Sequence, residues 1–549
     1  MTGPENSAPD GVRHVVHLIL ENRSFDQMLG CMKAVCPELE GIDPAAPMRN
    51  SDDAGREFVQ APTTVRQMLK WDPHHEVLRV AVQLADHNQG FVKDFSQQYP
   101  DSTVEARQLI MDYFPLDFLP ALHKLARNFT ICDHWFASVP GPTWPNRFFA
   151  LTGTSNGRVN MPDDGTQKAD LDGYFQQTQE TLFDRLNERA VHWKAYYHDI
   201  PQTTVLKRQR QPHNVARYFH IDRFYADARG PVAEFPEYCL IEPDFMGYGQ
   251  NDAHPPHDIM RSEKLIADVY NAIRANDELW KSTLLIIMYD EHGGFYDHVV
   301  PPGAIAPDDA KPSEYSFDQL GVRVPAVLVS PWMEARVEST QFDHTSVLKY
   351  LSQKWQLGPL GRRTAAATGI GVAFRGDAPR TGMVERITLT ADELNPPDPK
   401  AEEEAFGAPS AHQSALKQLA AYLEIEAFED IPKLSAWSAR MAEAIKTIAD
   451  AVLDRILDVP TGIKVSMAEP DKLALPMEAS AKDSVTKFLM RMKRYAAKGL
   501  KDRLADDTLP SDQQQHALHT LSLISGRNFH QENGDGRLTN ARIWLGKQT

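Results

Sequence analysis

Cysteine is scarce in this chain: there are four in 549 residues, Cys31, Cys36, Cys132 and Cys239, and no CxxC pair among them. That excludes a disulfide-stapled scaffold and a thiolate zinc module, and free thiols are the expectation. Long apolar runs are missing too. No segment approaches the roughly 18 consecutive apolar residues of a membrane-spanning helix, and the opening MTGPENSAPDGVRH holds no apolar core of a secretion signal. The expectation is a cytoplasmic protein, or one exported by a route that needs no cleavable signal. Positive charge is in deficit, 58 Lys and Arg against 75 Asp and Glu, for a net charge of -17. A polyanion would be repelled over most of the surface, so nucleic acid is not an expected partner.

What the chain does contain is two apolar strands that end in ligands. In HVVHLILENRSFD, from His14 to Asp26, the run Val15 to Leu20 has the character of an inner strand buried on both faces, and it stops abruptly at Glu21 and Asn22. LLIIMYDEHGGFYDHV repeats the logic: Leu284 to Met288 is a second central run, followed by Asp290, Glu291 and His292, before Gly293 and Gly294 let the chain turn. Open α/β sheets hold ligands at the carboxyl edge of their strands. Charged and neutral oxygen ligands from two such ends suit a divalent cation beside an anionic substrate. Alone, Glu21 and Asn22 could equally be an ordinary helix cap.

Several other stretches bear on chemistry. In DPHH, Asp72 and Pro73 make a turn and His74 and His75 open a helix carrying Val77, Val80, Val82 and Leu84. Adjacent histidines cannot both face one site. In SVPGPTWPNR, three prolines and Gly141 stiffen the backbone around Thr143, and Phe148 to Leu151 read as the helix that anchors it. Several hydrolases expose a nucleophilic hydroxyl on such a strand-to-helix turn, although most threonines in proline-rich loops are loop residues only. Leu119, Leu122 and Leu125 suit one helical face, and Thr130 to Cys132, HWKAYYHDI with His198, EYCLIEPDF, and Val322 to Trp332 read as strands. NDAHPPHDI places His254 and His257 around a Pro-Pro pair, ahead of an amphipathic helix from Ile259 to Asn276. His344, in FDHTS, reads as a structural histidine.

Strands alternating with helices imply an α/β fold over residues 1–392, a doubly wound, mostly parallel sheet with helices on both faces. A linker at 393–409, with NPPDPKAEEE, then leads to a helical region at 410–549. Ser410 and Gln413 form a capping-box pattern before Leu416, Leu419 and Leu423, and Trp437, Met441, Ile445, Ile448 and Val452 line a long helix. From Lys482 to Arg503, eight basic residues stand against two acids beside an apolar stripe of Val485, Phe488, Leu489 and Met492. Such a helix either packs on its own domain with a solvated basic face or makes peripheral contact with a membrane.

Taken together, ENRSFD, DPHH, PGPTWPNR and YDEHGGFYDHV, supported by DAHPPHDI and FDHTS, resemble the bacterial phosphoesterases that include secreted phospholipases C and acid phosphatase A, within the alkaline phosphatase-like superfamily. The resemblance implies one divalent metal ion held by Glu21, Asn22, Asp290 and Glu291, and Thr143 as the nucleophile that forms a phosphothreonine. It places His75 and His254 beside the phosphate and implies Asn146, His198 and His292 as substrate contacts. The implied substrate is a phosphate ester, with phospholipids included. A phospholipase C acting on phosphodiesters is the leading expectation, and an acid phosphatase acting on monoesters is the alternative. A chain without catalysis, acting through its helical tail, is the remaining reading, against which Thr143 and an intact set of metal carboxylates weigh. Sulfatase chemistry needs a Cys or Ser in a CxPxR-type setting, which Pro142-Thr143-Trp144 does not supply.

Overall fold

The computed structural model describes residues 11–426, apart from 69, 163–170, 216, 246–249, 311, 313–314, 376–377, 382–385 and 396–409. Most of the expected linker, the helix from Trp437 to Val452 and the basic segment from Lys482 to Arg503 lie outside these residues.

Eight strands build one sheet: β1 (His14–Leu20), β2 (Thr130–Cys132), β3 (Trp193–Tyr197), β4 (Tyr218–His220), β5 (Tyr238–Ile241), β6 (Thr283–Tyr289), β7 (Ala326–Val329) and β8 (Arg336–Glu338). Their order is β8-β2-β7-β6-β1-β5-β3-β4. All neighbours pair in parallel except β7, which runs antiparallel to both β6 and β2. The other seven strands therefore end at one edge. β1 and β6 are buried along their whole length, so both faces of the sheet are covered, as their mostly apolar sequences imply. Their register sets Leu20 opposite Tyr289, so the residues that follow, Glu21 and Asp290, emerge side by side.

Five helices matter for the site: α1 (Phe25–Leu29), α2 (Thr143–Thr152), α3 (Ile259–Arg274), α4 (Thr345–Trp355) and α5 (Ala411–Glu426). Ser24 caps α1 and Asp258 caps α3, each accepting a first-turn N–H. The apolar stripe of α3, including Ile259, Ile266, Val269, Tyr270 and Ile273, is buried, at roughly 1.5–3 kcal/mol for a large aliphatic side chain. α2 starts at Thr143 rather than near Phe148, because Pro145 falls in its first turn, where a missing N–H removes no helical bond. The strand expected over Val322 to Trp332 narrows to β7 between Pro325 and Pro331.

α5 departs most from expectation. Its start is the capping box read from the sequence: the Gln413 N–H donates to Ser410 Oγ at 3.1 Å and the Ser410 N–H to Gln413 Oε1 at 3.1 Å. Yet Ala415, Leu416 and Leu419 belong to the same apolar cluster as β1 and β6. A division at 410 follows composition, whereas packing joins this helix to the α/β unit. The four cysteines are free, and among the described residues no helix is long and apolar enough to cross a membrane.

Candidate active site

β1 and β6 bring Glu21, Asn22, Asp290 and Glu291 to one point. The ladder continues past both strands: the Asp290 N–H donates to the Leu20 carbonyl at 3.0 Å and the Arg23 N–H to the Glu291 carbonyl at 3.0 Å. Asp290 Oδ1 accepts from the Asn22 N–H at 3.3 Å and from the Glu291 N–H at 2.7 Å. Asn22 adopts φ 55°, which Asn tolerates better than most residues. Gly293 packs so closely that a Cβ would lie 2.2 Å from the Asn22 carbonyl oxygen, which is why glycine follows His292. All four side chains are fully buried.

α2 reaches the same point from the opposite side. Arg147 Nε donates to Asp290 Oδ2 at 2.9 Å, and its Nη2 lies 3.1 Å from Glu21 Oε1, so one guanidinium ties the two strand ends together. Thr143 stands one helical turn earlier and shares that face. Asn146, expected on the substrate, is turned into its own loop. Its Nδ2 donates to the carbonyls of Val139, Gly141 and Pro142, at 3.1, 2.8 and 3.2 Å, and its Oδ1 accepts from the Val139 N–H at 3.1 Å. Both ends of the carboxamide are therefore used in holding the turn that presents Thr143.

The histidines sort by partner. His75 is buried while His74 is half-buried against Arg79, in keeping with only one of the pair facing inward. The His75 and His254 rings meet edge to face at 5.9 Å. His75 Nδ1 bonds the Pro73 carbonyl at 2.9 Å, and His254 Nδ1 bonds the Pro255 carbonyl. His292 lies between Gln83 Oε1, 2.8 Å from its Nε2, and Glu291 Oε2, 3.2 Å from its Nδ1, and so steadies Glu291. His198, at the end of β3, bonds the Glu242 carbonyl at 2.9 Å. His344 has the structural part expected of it, with Nε2 on the Asp290 carbonyl at 2.7 Å.

Charge is poorly balanced here. Burial pushes Glu21 up to about 8 and Asp290 well above the carboxylate range, with Arg147 pulling both down, and burial also raises Asp252 to about 8. Burial opposes ionisation of Glu291 as well, but the His75 charge and the bond from His292 hold it below its ordinary value. His75 rises to about 9 against the effect of burial, through the charges of Glu291, Asp72 and Glu76. Several buried polar atoms also lack a hydrogen-bond partner among the described residues: Asn22 Oδ1 and Nδ2, Glu291 Oε1 and His254 Nε2. Each orphaned buried group costs about 1–3 kcal/mol. A hard divalent cation fits this donor set, since it would take up Asn22 Oδ1 and Glu291 Oε1 and favour ionised Glu21 and Asp290.

Asp26, Asp297 and His298 also bring potential ligand atoms within 4.8 Å of one another. There the positive charge is already supplied: Arg323 donates to Asp297 Oδ1 at 2.8 Å and to Asp26 Oδ1 at 3.0 Å, and His298 Nδ1 bonds Asp26 Oδ2 at 2.8 Å. It is a closed ion network, and it differs in this from the edge of β1 and β6.

The model of the Phosphoesterase family matches residues 12–358. The chain belongs to the phosphoesterase family. It is a phosphoric ester hydrolase with a mostly parallel α/β sheet, as the resemblance implied. Non-specific phospholipase C6 of Arabidopsis thaliana is 33% identical over 444 residues, 76% of this chain and 82% of that protein. Phospholipase C B of Mycobacterium tuberculosis is 26% identical over 409 residues, 63% of this chain and 73% of that protein. A solved structure described as a protein in the alkaline phosphatase superfamily, from Vibrio parahaemolyticus, aligns at 10% identity and a TM-score of 0.29, covering 64% of this chain and 70% of that one. Sequence reasoning gave no part to three residues that the structure brings to this candidate site. Arg147 had a signal, its spacing of four from Thr143, and Asp252 opens the quoted DAHPPH. His412 had none: its Nδ1 lies 3.0 Å from Glu21 Oε2, across the whole of the α/β unit in sequence.

Proposed function

We propose that this phosphoesterase is a phospholipase C that cleaves phosphodiesters, with Thr143 as nucleophile and Glu21, Asn22, Asp290 and Glu291 around one divalent ion. The observation that carries this reading is the set of unpartnered buried atoms at the joined ends of β1 and β6, next to the helix that begins with Thr143. The relatives named phospholipase C, from a plant and from a mycobacterium, support the diester class. When bound, the ion withdraws charge from the phosphoryl oxygens and favours the alkoxide form of the attacking hydroxyl.

The chain's own residues perform the rest. Pro145 has no N–H and the Asn146 N–H bonds the Pro142 carbonyl at 3.4 Å, which leaves the N–H groups of Thr143 and Trp144 at the start of α2 for phosphoryl oxygens. Thr143 Oγ1 gives up its proton to solvent water and attacks phosphorus, and the bond from phosphorus to the lipid alcohol breaks. His75, with Nδ1 fixed on the Pro73 carbonyl, offers the Nε2 proton to the departing alkoxide. His254, with Nδ1 on the Pro255 carbonyl, has Nε2 free to accept a proton from the water that hydrolyses the phosphothreonine. Asn146 holds the turn and His292 holds Glu291 through these steps.

The test is turnover of p-nitrophenyl phosphorylcholine against p-nitrophenyl phosphate by the full-length protein, before and after stripping with chelator. The diester should be the better substrate, and activity should vanish with the ion and return with added divalent cation. Preference for the monoester would make the protein an acid phosphatase. Full activity in exhaustively stripped protein would remove the metal from the mechanism.

A further inference from the structure

The phosphoesterase match ends at residue 358, yet α5, beyond it, reaches the centre of the site. We propose that His412 is a positioning residue of the metal site, which orients Glu21 and makes α5 part of the machinery that binds the ion. This rests on the reading of Glu21 as a ligand of one divalent cation.

Glu21 is gripped from two sides. His412 Nδ1 is 3.0 Å from both its carboxylate oxygens, while Arg147 Nη2 is 3.1 Å from Oε1. A ligand carboxylate held by outer hydrogen bonds presents its lone pairs in one orientation, and removing such a partner weakens metal binding. The imidazole is itself held in place. Its ring, 3% exposed, meets Phe245 edge to face at 4.7 Å, and the Arg147 guanidinium lies over the same Phe245 ring at 5.3 Å. Gln413 Nε2 donates to the Phe245 carbonyl at 3.0 Å, and the Ser410 capping box sets where the helix begins. Ala415, Leu416 and Leu419 then bury one face of α5 in the core. The ordinary alternative is a core histidine that only fills space. Two features oppose it: an apolar residue would fill that space without polar atoms, and His412 Nε2 is buried with no partner among the described residues. The contact that His412 does make is to the carboxylate that closes the end of β1.

The test compares wild type, His412→Asn and His412→Leu, each full length and stripped of metal, by titration with Mn2+ while free Mn2+ is read from its electron paramagnetic resonance lines. Asn keeps an N–H donor near the Nδ1 position and loses ring contact with Phe245. Leu keeps apolar bulk and loses the donor. A positioning role predicts Mn2+ affinity about tenfold or more weaker in the Leu variant and within about threefold of wild type in the Asn variant. The melting temperatures of the stripped proteins should rank the other way, because packing favours Leu. A Leu variant that binds Mn2+ as tightly as wild type, or tighter, overturns the proposal, and so does an equal loss in both variants. Wild type that binds no Mn2+ overturns the ion site as well, which separates that failure from failure of the role given to His412.

Discussion

Removing one oxygen should be enough to stop this enzyme. Thr143→Ala leaves the Asn146 bonds to the loop and the side chains of Glu21, Asn22, Asp290 and Glu291 in place, so turnover should fall at least about a thousandfold while metal content, by elemental analysis, stays unchanged. Activity within about tenfold of wild type would mean that this hydroxyl is not the nucleophile. His298 makes a different single-residue case. Burial alone would raise Asp26, yet His298 and Arg323 hold it below its ordinary range, and burial alone would lower His298, yet Asp26 lifts it above 6.5. His298 thus holds its proton more tightly in the folded protein than in the unfolded chain. Its contribution is complete below 6.5 and is lost as pH rises through the raised folded value. His298→Gln should cost about 2 kcal/mol at pH 6 and less at pH 9, read from melting temperatures at the two pH values. An equal cost at both would mean that the ring acts as a neutral donor.

Whole elements meet at the site through very few side chains. The turn into α2 depends on Asn146, and Asn146→Ala would strand the Val139 N–H and the Gly141 carbonyl together, while the Val139 and Pro142 carbonyls keep backbone donors. A loss of about 3 kcal/mol in urea unfolding is expected, with a lower kcat at unchanged metal content, because the ends of β1 and β6 do not rely on that loop. Those two ends form one site only jointly. Glu21→Ala and Asp290→Asn should each reduce bound metal from about one ion per chain to near none. Full occupancy in both variants would show that the two ends do not share an ion.

At the largest scale, α5 closes over part of the apolar core of the α/β unit. Cutting the chain before Ser410 uncovers the surface that Ala415, Leu416 and Leu419 bury. The two leucines alone imply a loss of about 5 kcal/mol, and the exposed apolar patch should promote association. A truncated protein that melts as wild type does and stays monomeric by light scattering would show that α5 is an accessory to the fold. The same cut removes His412, so the point substitutions are needed to separate packing from ion binding.

Local chemistry made much of this molecule legible. The run Val15 to Leu20, broken only by His17 and ending at Glu21, and the five apolar residues Leu284 to Met288, ending near Asp290, read as buried strands with polar ends, because runs this short and apolar suit a strand covered on both faces. The Ser410 and Gln413 capping box was equally readable, since both partners lie within one helical turn. Tertiary structure alone decided that Leu20 lies opposite Tyr289, that β7 runs against its neighbours, that Asn146 bonds its own loop and that His412 meets Glu21. Strand and helix character depend on residues a few positions apart, whereas register and the choice of which apolar face covers which depend on fit between surfaces far apart in the chain. The polar ends of β1 and β6 could therefore be read from the sequence, and the histidine that meets one of them could not.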